Sequence, residues 1–139
     1  MKRIIPILFL MCILVGCRSS VQFYVLDSDL PYQDKNIQAW ADKNNANGIY
    51  LGKTVESGGV SVLYLYLNNL SPVNNEYKKY SPVSIGSTSD KSTIEISTTV
   101  NESKEKYGKI FKIIIEDSKV DNVILNGEKI MYSSIKTIE

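Results

Sequence analysis

The stretch VSVLYLYL, residues 60–67, decides the fold class of this chain. On an extended backbone, Val60, Val62, Tyr64 and Tyr66 point one way, and Ser61, Leu63, Leu65 and Leu67 point the other. Both sets are largely apolar. The strand must therefore be covered on two sides, at the centre of a sheet or with a helix over one face. β-Branched and aromatic residues favour such a pleated, packed surface. The rest of the chain has to supply partners for its edges and layers for its faces.

Downstream the period of two recurs. Thr93 to Val100 sets Ile94, Ile96, Thr98 and Val100 against Thr93, Glu95, Ser97 and Thr99. Lys109 to Glu116 (KIFKIIIE) places Phe111, Ile113 and Ile115 on one apolar face. Asn126-Gly127 lies between the apolar runs of Val123 to Met131 and signals a two-residue hairpin of type I′, because both central positions need φ > 0. Ser81 to Ile85 reads as a short edge strand with Pro82 near its start. The polar, aperiodic segments Asn68 to Tyr80 and Asn101 to Gly108 are predicted loops.

Upstream, Val21 to Asp27 and Ile49 to Thr54 read as strands, and Gln33 to Lys43 between them as a helix. Ile37, Trp40 and Ala41 form its narrow apolar stripe, with Trp40 anchoring it to the sheet. Ser28 or Asp29 can cap it, Pro31 suits its first turn, and Asn44, Asn45, Asn47 and Gly48 end it. The predicted architecture is mainly β, α+β. A small antiparallel sheet, or a half-open barrel, carries one N-terminal helix within a single domain over residues 21–139.

The beginning of the chain follows a different logic. Lys2 and Arg3 precede an apolar run from Ile4 to Val15, which stops at Gly16 and is short of the roughly 20 residues a transmembrane helix needs. Leu14-Val15-Gly16-Cys17 closes it. These four residues resemble the lipobox of bacterial lipoproteins at every position. The resemblance implies cleavage between Gly16 and Cys17 of a signal peptide spanning residues 1–16, lipidation of Cys17, and a short tether over residues 17–20. Two or more acyl chains anchor a protein stably, at about 0.8 kcal/mol per buried CH₂. The expected location is the extracytoplasmic face of the cell envelope, in the plasma membrane outer leaflet or the outer membrane.

Composition narrows the chemistry. The chain has 16 Lys+Arg against 15 Asp+Glu, so it exerts no bulk attraction on nucleic acid, and none is expected as a partner. Cys12 falls inside the signal and Cys17 at its end, which leaves no thiol for a disulfide in the mature domain. The chain contains no histidine. Ser-His-Asp and Cys-His catalysis and His-ligated metals are therefore excluded. No metal or cofactor is expected.

Three groups merit attention as sites. Asp27-Ser28-Asp29 pairs two carboxylates but lacks the Gly and terminal Glu of a calcium loop, and strand termination with helix capping explains it better. Tyr64 and Tyr66 share one strand face and could form a binding surface or pack under a helix. Tyr77, Lys78, Lys79 and Tyr80 mix charge with aromatic area on a predicted exposed loop and are the candidate protein-binding segment.

One wider resemblance covers most of residues 23–116. Phe23-Tyr24-Val25-Leu26-Asp27, Leu30-Pro31, the helix with Trp40, and the later order of strands resemble the protease-complex regulatory lipoproteins, the PrcB-like family. Tyr80 matches the Tyr of that family's Thr-Gly-Gly-Tyr, with Lys78 and Lys79 in place of the glycines. The resemblance implies a β-rich domain that associates with another exported protein. The expected function is a membrane-anchored, non-catalytic binding or accessory module. The alternatives are a small glycan-cleaving enzyme using carboxylates, or a surface-exclusion or immunity lipoprotein of a mobile element.

Overall fold

The apolar pattern of residues 60–67 places that strand at the middle of the molecule, and the computed structural model has it there. The structure describes residues 22–29, 34–55, 60–87, 92–116 and 120–139. The expected signal peptide, Cys17, the tether and Pro31 lie outside the described residues. Chain order is β1 (Gln22–Asp29), helix α1 (Lys35–Lys43), β2 (Gly48–Val55), β3 (Ser61–Asn69), β4 (Tyr77–Ser87), β5 (Thr93–Ser103), β6 (Tyr107–Glu116), β7 (Asn122–Leu125), β8 (Glu128–Met131) and a 3₁₀ turn (Tyr132–Ser134).

The strands form two four-stranded sheets, β1-β6-β3-β2 and β4-β5-β7-β8. The first is antiparallel throughout. The second contains one parallel pair, β5 with β7. The architecture is mainly β with one helix, as the sequence implies. The strands divide between two open sheets instead of filling one, and neither sheet closes into a barrel.

The two faces of β3 explain the layering. Leu63, Leu65 and Leu67 join Phe111, Ile113 and Ile115 of β6 and meet Ile94, Ile96 and Val123 of the second sheet in one core. Each fully buried leucine contributes about 1.5–3 kcal/mol of hydrophobic stabilisation. Val62, Tyr64 and Tyr66 face the other way, with Ile110, against Ile37 and Ala41 of α1. The order of layers is helix, sheet, sheet.

Several boundaries differ from the sequence reading. β1 continues through Ser28 and Asp29, which pair with Ile110 and Lys109, so neither caps the helix. Asp34 does so: its Oδ1 accepts the N–H groups of Asn36 at 2.9 Å and Ile37 at 3.2 Å. The expected loop from Asn68 to Tyr80 shrinks to a turn, because β3 runs to Asn69 and β4 starts at Tyr77. Asn74 and Asn75 adopt φ of 54° and 62°, which makes the reversal tight. The second expected loop shrinks likewise, since β5 reaches Ser103 and β6 starts at Tyr107. The alternation of β5 loses its cover at Val100, which is 50% exposed. β7 pairs with β5 only as far as Ile96, so beyond that point β4 is the one described strand that pairs with it.

Candidate functional site

The β3–β4 and β5–β6 connections both cross between sheets at the same end of the molecule. Asn69 stands opposite Tyr107 in one sheet, and Tyr77 opposite Ser103 in the other. The buried Asn69 side chain accepts the Lys78 backbone N–H at 2.7 Å and fixes where β4 begins. Between β4 and β6 this crossing leaves a cleft of about 560 Å³, with Lys79, Tyr80, Glu105, Lys106, Tyr107 and Lys109 in its lining. The rings of Tyr80 and Tyr107 lie 6.0 Å apart at 52°, and the Lys109 ammonium sits 5.7 Å from the Phe111 ring centre. The site is polar and carries charge of both signs.

The predicted binding segment therefore belongs to an edge strand and not to a loop. Tyr77 is half-buried, Lys78 and Lys79 are exposed, and Tyr80 is 8% exposed. Burial raises the Tyr80 phenol pKa above its ordinary value, with a smaller contribution from Tyr50. Of the four residues, Lys79 and the rim of Tyr80 reach the cleft.

Tyr64 and Tyr66 take the packing role. They are 3% and 1% exposed beneath α1, which leaves neither of these two rings open to a ligand. Tyr66 sits between Trp40 and Tyr50, each ring centre 6.0 Å away. Its pKa is raised by burial first, then by the charge of Asp42 and by Tyr50. Asp27 and Asp29 lie within β1, paired in register with Phe111 and Lys109. Among the described residues, no group of three or more acidic, Cys or His side chains is placed to hold a metal ion.

A second cleft, about 670 Å³, opens where α1, β2 and the C-terminal segment meet. Trp40 and Tyr50 stand on its helix side, and Leu51, Ile130 and Ile135 on the side of the inter-sheet core. It exists because the last residues fold back onto β2. The Lys53 N–H donates to the Lys136 carbonyl at 3.0 Å, and the Lys53 carbonyl accepts the Ile138 N–H at 2.8 Å. The Lys53 ammonium is held by the carbonyls of Tyr132 at 2.8 Å and Ser133 at 3.3 Å, 4.9 Å from the Tyr132 ring centre. Ile138 then inserts over Gly52, where any Cβ would lie 2.7 Å from its Cδ1.

Sequence reasoning passed over this cleft. Its two walls are separated by most of the chain, and Ile135 and Ile138 carry no periodic signal. The nearest clue was Gly52 inside a strand pattern, which marks close approach of another group. Comparison with protein-family models, with curated proteins and with solved structures returns no match.

Proposed function

We propose that this chain is a lipid-anchored envelope protein that serves as a non-catalytic binding or accessory module for another exported protein. The observation that carries the reading is Leu14-Val15-Gly16-Cys17 behind a charged and apolar leader. Two features of the fold support it. Carboxylate hydrolysis of a glycan requires a converging pair of acids. Among the described residues the first cleft has Glu105 as its one acidic lining residue, and the second has Glu139. β1 also gives the molecule a polarity with respect to an anchor. Gln22 pairs with Glu116 at one end, and Asp29 with Lys109 at the other. A lipid on Cys17 holds the Gln22 end within roughly 18 Å of extended chain from the bilayer. The opposite end, roughly 24 Å along β1, carries the turns that precede Tyr77 and Tyr107.

The test is fractionation with intact-mass analysis. The wild-type chain sediments with membranes and carries a diacylglyceryl mass on a protein beginning at Cys17. Cys17→Ser leaves the protein soluble or uncleaved. An unmodified thiol in membrane-derived wild-type protein overturns the proposal.

A further inference from the structure

Asparagine followed by glycine is prone to cyclise. Glycine has no Cβ to shield its nitrogen, and that nitrogen can attack the carbonyl carbon of the preceding side chain. The chain contains two such pairs, Asn47-Gly48 and Asn126-Gly127. The fold treats them differently.

Gly48 pairs with Asn68 where the β2–β3 ladder starts. The Lys53 N–H points away from β3, to Lys136. The two-residue period of the strand therefore turns the Gly48 N–H inward, toward β3. The attacking nitrogen is held in the sheet. The Asn47 amide is held too: its Nδ2 donates to the Ser71 carbonyl at 2.8 Å, and its Oδ1 accepts the Ser71 N–H at 3.2 Å. Both reacting groups have to leave the end of the sheet together.

Asn126 and Gly127 sit exposed at the tip of the β7–β8 hairpin. Among the described residues no hydrogen bond engages the Gly127 N–H. Two local restraints remain. Asn126 has φ of 50°, and a type I′ turn sets its ψ at roughly +30°. For an L-residue that ψ places the next nitrogen nearly opposite Cβ across the Cα–C bond, out of reach of Cγ. The side chain is also pinned, with Oδ1 on the Thr98 N–H at 2.7 Å and Nδ2 on the Thr98 hydroxyl at 2.9 Å. Attack needs rotation about ψ, which opens the turn, and rotation of the side chain, which breaks its bonds to Thr98.

We propose that Asn126 is the deamidation site of the native chain, latched by Thr98 and exposed to reaction by opening of the hairpin tip. The Gly127 nitrogen bonds to Cγ, its proton leaves with Nδ2 as ammonia, and a five-membered succinimide forms. Water then adds to one ring carbonyl, and the C–N bond at that carbon breaks. Opening at Cγ leaves aspartate. Opening at the main-chain carbonyl leaves isoaspartate, whose backbone runs through Cβ and Cγ. One water is consumed, one ammonia is released and nothing is oxidised. Aspartate lacks the amide donor that the Thr98 hydroxyl accepts and adds a negative charge beside Glu128. Isoaspartate adds a main-chain atom to a two-residue turn that has to hold Leu125 opposite Glu128. It therefore frees β5 beyond Ile96 from the hairpin and leaves β4 as its strand partner. The modification is independent of the anchor on Cys17.

The experiment incubates the folded full chain at mildly alkaline pH and follows both Asn-Gly pairs by peptide mapping with mass spectrometry. Asn126 is expected to convert before Asn47, to a mixture of aspartate and isoaspartate. Thr98→Val keeps the backbone N–H and removes the hydroxyl. It is expected to speed conversion of Asn126 by about fivefold, the worth of one hydrogen bond, and to leave Asn47 unchanged. Thr98→Ser keeps the hydroxyl and the wild-type rate.

Earlier conversion of Asn47 in the folded chain overturns the proposal. So does an unchanged Asn126 rate in Thr98→Val, because Thr98 is then no latch. Acceleration of both pairs overturns it as well, since the variant has then loosened the whole chain. If Thr98→Val does not fold, the wild-type chain decides through the ratio of its urea-unfolded to its native rate at each pair. A smaller ratio at Asn126 than at Asn47 supports local opening of the tip. An equal or larger one overturns it.

Discussion

The side-chain carbonyl of Asn126 accepts the backbone N–H of Thr98 at 2.7 Å, which ties the tip of the β7–β8 hairpin to β5 beyond the point where β7 stops pairing with it. β7 ends at Leu125 beside Ile96, so the next group of β5 would face solvent without a ladder partner. Asn126 supplies one. Its own N–H donates to the Ile96 carbonyl at 2.8 Å, and its Nδ2 donates to the Thr98 hydroxyl at 2.9 Å. The same residue holds φ at 50°, as a type I′ turn requires, with Gly127 following at 86°.

Two substitutions separate those roles. Asn126→Gly keeps the left-handed conformation and loses the side-chain bonds, at about 1 kcal/mol. Asn126→Ala loses the bonds and adds left-handed strain, for about 2–3 kcal/mol in total. Urea denaturation of the two variants measures the difference. Equal losses would show that the turn geometry contributes nothing.

This turn was legible in the sequence because Asn-Gly is a local signal whose geometry follows from two residues. The two-sided strand at residues 60–67 was legible for a similar reason. Its period of two fixes which side chains face which layer, and Leu63, Leu65, Leu67 and Tyr64, Tyr66 segregate as read. The division into two sheets was not legible. β3–β4 and β5–β6 are ordinary antiparallel neighbours in sequence, and only packing of Phe111 and Ile113 against Ile94 and Ile96 sends them into different layers. The segment before Tyr80 looked like a loop because its polar residues resemble solvated ones. Asn68 and Asn69 are instead buried, and they satisfy backbone groups from inside.

Asn68 shows how costly that arrangement is to disturb. It is 0% exposed, its Nδ2 donates to the Asn44 carbonyl at 2.8 Å, and its Oδ1 accepts the Leu70 N–H at 3.1 Å. Asn44 is the C-cap of α1, so this side chain joins the end of the helix to the end of β3. Asn68→Ala leaves partly buried backbone groups unsatisfied and opens a small void. The expected loss is about 2–4 kcal/mol, read by chemical denaturation. Faster amide exchange in the last turn of α1 accompanies it. A loss below about 0.5 kcal/mol would mean that water replaces the amide.

Gly52 and Ile138 form a second coupled pair. A Cβ at position 52 meets Ile138 Cδ1 at 2.7 Å, Ile138 Cγ1 at 2.9 Å and Trp40 Cε2 at 3.0 Å. Gly52→Ala must push the C-terminal segment or the helix off β2, at about 1–3 kcal/mol. Ile138→Ala alone removes apolar contact and leaves a void. In the double variant the new methyl occupies part of the vacated space. The double-mutant cycle therefore gives a favourable coupling of about 0.5–3 kcal/mol. Additive losses would show that the tail is not seated over Gly52.

Tyr66 is one of the buried phenols whose ionisation opposes the fold at alkaline pH, with Tyr80 and Tyr132. Its pKa is raised above the ordinary 10.0 chiefly by burial, and that of Tyr80 is raised for the same reason. Well below pH 10 both are protonated whether the chain is folded or not, and stability does not depend on them. Above pH 10 the unfolded chain releases these protons while the folded chain retains them. The unfolded state then binds fewer protons, and stability falls as pH rises toward the folded pKa values. Each buried phenol adds a slope of at most about 1.4 kcal/mol per pH unit, the one-proton limit. Urea melts from pH 8 to 11.5 should be flat at first and then decline. Tyr66→Phe should shallow the decline by one phenol's share, and Tyr66→Phe with Tyr80→Phe by two. If the double variant declines as steeply as the wild-type chain, the alkaline transition has another origin, and the tyrosines under the helix and between the sheets are not what titrates.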